Sequence, residues 1–234
     1  MKLIFQHLFS NFFNTKEITT TRLYNFAKDS LSRFQTQNDT NDYDDVISYL
    51  EEPINRLNEK ISTVDVALGL QFGKTMTVDQ FIRLFKKTMS DKEGVIADAV
   101  GGFESPKYKE FYPHGVSEYS NAPKRELTVL VERVYTVTGT NAALLSPALV
   151  TKLQAFKSSW DMNRTDQQQQ KGEVSEDRDE RDVVRVDVEI ALLKAMHALG
   201  VMHPGNRNHC YTFFDFNLLF PLSRRTTPPS SSRD

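Results

Sequence analysis

One cysteine, ten glycines and nine prolines in 234 residues leave little material for staples, metal knuckles or frequent turns. Cys210 has no second cysteine to pair with, so an internal disulfide is excluded, and a reducing compartment such as the cytoplasm is the expected setting. No apolar run approaches the ~18–20 residues of a membrane-spanning helix, so no membrane association of that kind is expected. The apolar start, Met1 to Phe13, is broken at Gln6-His7 and lacks a small-residue cleavage site. It reads as an aromatic segment folded onto the core. Charge is also balanced: 29 basic residues face 31 acidic ones, so nothing draws the whole chain to nucleic acid. No serine has the context of a nucleophile elbow, and no cofactor motif is present.

What is present is helical periodicity. Apolar residues make up 39% of the chain and charged residues 26%, ordinary for a globular protein. Leu23, Phe26, Ala27, Leu31 and Phe34 form one stripe and predict a helix over Thr21 to Gln37. After the polar loop Gln37 to Asp42, Ile47, Leu50, Ile54, Leu57, Ile61, Val64 and Leu68 keep steps of three and four. They predict one helix from Tyr43 to Gly69, bent at Pro53. Thr77-Val-Asp-Gln80 has the form of a capping box and predicts a new helix ended by Gly101-Gly102. Ser105-Pro106 predicts a short one. Asn121-Ala-Pro123 opens another that runs to Gly139, with a strand as the alternative because of its β-branched residues. Ser146-Pro147 opens a helix with Leu149, Leu153, Phe156 and Trp160, fading at Gln167 to Gln170. Ser175 starts the last, with Val183, Val186, Ile190, Leu193 and His197 as its buried stripe and Gly200 as its end. The aromatic segment Tyr211 to Phe220 should pack on the core, and the tail from Pro221 (residues 221–234) should be disordered. The fold class is therefore all-α, a bundle of about six main helices.

Few motifs rise above helix punctuation. Gly69-Leu-Gln-Phe-Gly73-Lys74-Thr75 imitates a phosphate loop but has three residues between its glycines, where four are needed, and follows a helix. A helix end with Lys74 near the terminal carbonyls is the simpler reading. His197, His203, His209, Cys210 and Asp215 could be assembled into a metal site, yet their spacing is not that of known zinc sites. Asp215, between Phe214 and Phe216, is expected to cap backbone amides or pair with an arginine. Asp177 with Arg181, and Arg185 with Glu189, are four apart and should pair along a solvated face. The row Arg178, Arg181 and Arg185 could also meet an acidic partner.

In the C-terminal third, Lys171-Gly-Glu-Val174, Arg178, Arg181-Asp182, His197, His203-Pro204-Gly205 and Phe213 to Phe220 resemble an uncharacterised family of all-helical bacterial proteins. The resemblance covers residues 171–220 and implies a helical fold. It implies no activity, cofactor or site residue.

The chain also reads as two similar halves, residues 1–107 and 108–220, each with an aromatic lead-in and three helices. His7, Ser10, Phe12 and Asn14 match His114, Ser117, Tyr119 and Asn121 at an offset of 107. Thr77, Asp79, Arg83, Gly102 and Pro106 match Ser175, Asp177, Arg181, Gly200 and Pro204 at an offset of 98, although Phe81 and Ile82 then face Asp179 and Glu180. These features favour a non-enzymatic interaction or scaffolding protein with a protein partner or with itself, and no catalytic, cofactor or metal residue is assigned. The alternative is an enzyme or metal-binding protein whose site is assembled from His203, His209 and Asp215.

Overall fold

The structure, a computed structural model, describes residues 10–220. Among these it contains eight α-helices and no strand, so the all-α class holds. In chain order they are α1 (Thr20–Thr36), α2 (Asp44–Asp91), α3 (Glu93–Ala99), α4 (Pro106–Phe111), α5 (Ser117–Ser120), α6 (Leu127–Thr140), α7 (Pro147–Met202) and α8 (Arg207–Tyr211). Single 3-10 turns occupy Lys124–Glu126, Ala142–Leu144 and Phe216–Leu218. The expectations for Met1 to Phe9 and for the tail from Pro221 lie outside the described residues.

Local signals produced several elements as read. Thr19 Oγ1 accepts the amide of Arg22 and caps α1, whose Leu23, Phe26, Ala27, Leu31 and Phe34 are all buried. Ser105 caps α4 ahead of Pro106, accepting from the Lys107 amide. α6 is a helix throughout, with Leu127, Leu130, Val131 and Val134 buried, so the strand alternative falls.

Two predicted boundaries do not exist. α2 continues through Gly69, Gly73 and Thr77 to Asp91. Thr77 caps nothing; its hydroxyl donates to the Gly73 carbonyl inside the helix, at 3.1 Å. Likewise α7 runs past Gln167 to Gln170 and past Ser175 to Met202, with Gly200 inside it. The reason is packing. Buried Val64, Ala67, Val78, Phe81, Phe85 and Met89 carry the helical register on beyond the glycines. Burial of such side chains, about 1.5–3 kcal/mol each, outweighs the ~1 kcal/mol that an interior glycine costs.

The chain divides into two compact units. Unit 1 comprises the described residues up to Asp65 together with those from Glu176. Its core sets Phe26 and Phe34 of α1 and Leu50 and Leu57 of α2 against Val184, Val188, Leu192 and Leu199 of α7, with Phe213, Phe214 and Leu219. The aromatic segment thus packs as expected, although Tyr211 and Phe220 stay exposed. Unit 2 is the continuous stretch Val66–Ser175. There Phe81, Phe85 and Met89 of α2 meet Leu130 and Val134 of α6 and Leu153, Phe156 and Trp160 of α7, closed by Tyr108, Phe111, Tyr112 and Tyr119. The units therefore do not coincide with residues 1–107 and 108–220.

The predicted stripe of the last helix points away from the core at its first three positions, while Leu193 packs half-buried against it. Val183, Val186 and Ile190 are 65%, 44% and 56% exposed, while Val184, Val188, Ala191, Leu192, Ala195 and Leu199 are buried. Arg185 and Glu189 pair at 2.8 Å as read, but not on a solvated face: Glu189 is 1% exposed. Arg185 also donates to the carbonyls of Phe13 and Ile18, and Asn11 donates to Glu189 at 2.7 Å. The pair ties the segment before α1 to α7. Arg181 pairs with its neighbour Asp182 instead of Asp177.

Three buried phenols of unit 2 donate inward: Tyr108 to Glu93, Tyr112 to the Met89 carbonyl and Tyr119 to the Phe111 carbonyl. Burial pushes Tyr108 and Tyr119 up to about 12 and raises Tyr112 as well. The protonated forms belong to the fold, so their stabilisation is complete below the ordinary value near 10 and is lost as pH rises through about 12. Tm should hold up to about pH 10 and then fall, with tyrosinate absorbance near 295 nm appearing together with loss of helical circular dichroism. Full tyrosinate absorbance in a still-folded protein would contradict this.

Candidate functional site

At one end of unit 1 the fold gathers Tyr43, His203 and His209. Tyr43 stands just before α2, its amide held by Asn38 Oδ1 at 2.8 Å. Its ring lies edge-on to Phe34 and Phe213 and is 6% exposed. His203 follows α7. Gly205, with φ of 78°, turns the chain, and Asn206 caps α8 by accepting the His209 amide. A left-handed residue with no Cβ suits that turn. The turn returns His209 to His203, their ring centroids 4.3 Å apart and edge to face.

Both imidazoles point Nε2 at the same phenol. The Tyr43 hydroxyl lies 2.9 Å from His203 Nε2 and 3.3 Å from His209 Nε2. A hydroxyl has one proton to give and two lone pairs to accept with, so at least one of the two imidazoles donates to Tyr43. Burial, then the nearby Asp42 and Cys210, raise the Tyr43 hydroxyl above its ordinary value, which keeps the shared proton on oxygen.

The assembled alternative is half realised. His203 and His209 come together, but Asp215 does not join them. Its Oδ1 accepts from the Asn217 amide at 3.1 Å, and its Oδ2 lies 4.0 Å from Arg33. That is the capping and arginine-pairing role read from the sequence. Cys210, only partly buried, directs Sγ at the Leu199 carbonyl, 3.8 Å away. Among the described residues no group of three or more His, Cys, Asp and Glu side chains could hold a metal ion. Tyr43 was missed because it stands 160 residues from His203 with no pattern to link them. The phosphate-loop imitation is a helix interior, in which Lys74 pairs with Asp166 at 2.6 Å.

The triad fastens the start of α2 to the end of α7 and to α8. It provides hydrogen-bond order; of its neighbours, the Asp42 carboxylate accepts from Thr40 and the Cys210 thiol is directed at the Leu199 carbonyl. No helix among the described residues is long and apolar enough to cross a membrane. No protein-family model, curated protein or solved structure matches the chain. The likeness of residues 171–220 to a helical family is therefore not extended by any of these comparisons.

Tyr43→Phe should lower stability by about 1–3 kcal/mol in denaturant unfolding, because two ring nitrogens lose the hydroxyl between them. An unchanged midpoint would mean that water replaces the phenol at no cost. A strong chelator should leave Tm unmoved, since the imidazole nitrogens are already bonded to Tyr43.

Proposed function

We propose that the protein is a non-enzymatic helical interaction module, built by internal duplication, which engages a protein partner through an exposed apolar face of α7. One observation carries the reading: Val183, Val186 and Ile190 continue a helical stripe in solvent, where a monomer gains nothing from them.

A single shift of 103 residues superimposes most buried positions of α2 and α3 on buried positions of α7, although Ala97 falls on exposed Gly200 and Phe156 on Pro53. Val46, Leu50, Leu57 and Val64 fall on Leu149, Leu153, Trp160 and Gln167. Phe81, Phe85, Met89 and Ile96 fall on Val184, Val188, Leu192 and Leu199, and Phe111 on Phe214. Gly69 meets Gly172, and Gly102 meets Gly205, both of the latter pair with positive φ. This register replaces the offset of 98, which set Phe81 against Asp179. Ile54 against Lys157 and Val78 against Arg181 are departures from it. Each unit also takes the same parts: a short helix, the first stretch of the long helix after it, the last stretch of the other long helix, and the segment that trails it.

In that register Val183, Val186 and Ile190 correspond to exposed Gln80, Arg83 and Lys87. The same helical face is hydrophilic in one copy and apolar in the other. A solvated face has no need of the second composition; a docking face does. The cytoplasm remains the proposed setting, supported by the lone cysteine.

Surface substitutions usually leave stability within about 0.5 kcal/mol, so Val186→Glu with Ile190→Glu should fold normally. Affinity capture from the native cell should recover proteins with the wild type that this double variant loses. Identical captured sets would sink the assignment of the face.

A further inference from the structure

The apolar stripe of α7 carries a charge pattern along one edge that selects its occupant. Asp187 and Lys194 lie two helical turns apart, on the side of the stripe next to α2. With Ile190, Ala191, Tyr49 and Pro53 they rim a shallow apolar depression. Neither charge is spent in a buried pair. Arg56 approaches Asp187 only to 3.5 Å with both side chains nearly half exposed, and Lys194 Nζ lies 3.9 Å from the Tyr49 ring centroid.

The geometry points to a second copy of this chain, its α7 packed antiparallel against α7 about a two-fold axis at Ile190. This rests on the interaction reading above and names the partner. In that register Ile190 meets its own mate, and Val186 meets the outer edge of Leu193 of the second copy, a side chain half-buried on its own core. Asp187 stands opposite Lys194 of the second copy, and the symmetry repeats the pair. A parallel pairing would instead bring the opposite edges together and set Asp187 beside exposed Asp182 of the second copy, so like charges oppose it. A different protein would have to supply a complementary edge of its own. A second copy carries one already.

Sedimentation velocity of the full chain, followed from micromolar to the highest soluble concentration, tests this. The wild type should dimerise and Ile190→Glu should remain monomeric with unchanged circular dichroism. Asp187→Lys or Lys194→Asp alone should weaken dimerisation by about tenfold, and the two together should restore it. Dimerisation that survives Ile190→Glu overturns the proposal, as do single reversals without effect. A wild type that stays monomeric throughout overturns it too. If the Val186→Glu, Ile190→Glu variant nevertheless loses captured proteins, only self-pairing has failed and the interaction reading stands.

Discussion

α2 and α7 can each line two cores only if their backbone hydrogen bonds run unbroken from one core to the other. α2 keeps that continuity through Gly69 and Gly73, and α7 through Gly172, places where a helix loses about 1 kcal/mol per glycine relative to alanine. What holds the helices on course is burial on either side: Leu57 and Val64 before the glycines of α2, Val78 and Phe81 after them. Within unit 2, Gln167 is 2% exposed and donates to Thr75, while Lys74 pairs with Asp166. These side chains satisfy one another along α2 and α7.

Legibility followed the range of the signal. The Thr19 cap of α1 and the Ser105-Pro106 start of α4 are encoded within a few residues, and both stand where they were read. Thr77 and Ser175 carry the same kind of local signal but are overruled by side chains distant in sequence. The last stretch of α7 offered two apolar rows at helical spacing. The bulkier row, with Ile190, looked like the core. The fold buries the row containing Ala191 and Ala195, because Phe13, Phe26, Phe34, Phe213 and Phe214 already supply the volume. Of the candidate site, two histidines were legible as neighbours, whereas Tyr43 was not, since only tertiary folding brings it to them.

Polar groups inside unit 1 are used to tie distant segments together. Arg185 and Glu189 hold Asn11, Phe13 and Ile18 against α7, and Tyr43 holds His203 and His209. Such groups contribute modestly when intact, yet removing one partner strands the other in a low-dielectric setting. Under the duplication reading, His203 and His209 occupy the places of Val100 and Pro106 in unit 2. The two copies thus differ at this end as well as along the α7 stripe, and unit 1 carries both departures.

Unit 2 is one uninterrupted stretch of chain, whereas unit 1 is assembled from two stretches that flank it. On a ribosome this fixes an order. Residues up to Asp65 emerge first, and the stripe of α1 must wait for Val184, Val188 and Phe213, more than a hundred residues later. Unit 2 has all its partners once Ser175 has emerged. Of the two units, the one that begins to emerge earlier is therefore completed later, and its aromatic surface stays unpaired in the nascent chain meanwhile, open to aggregation.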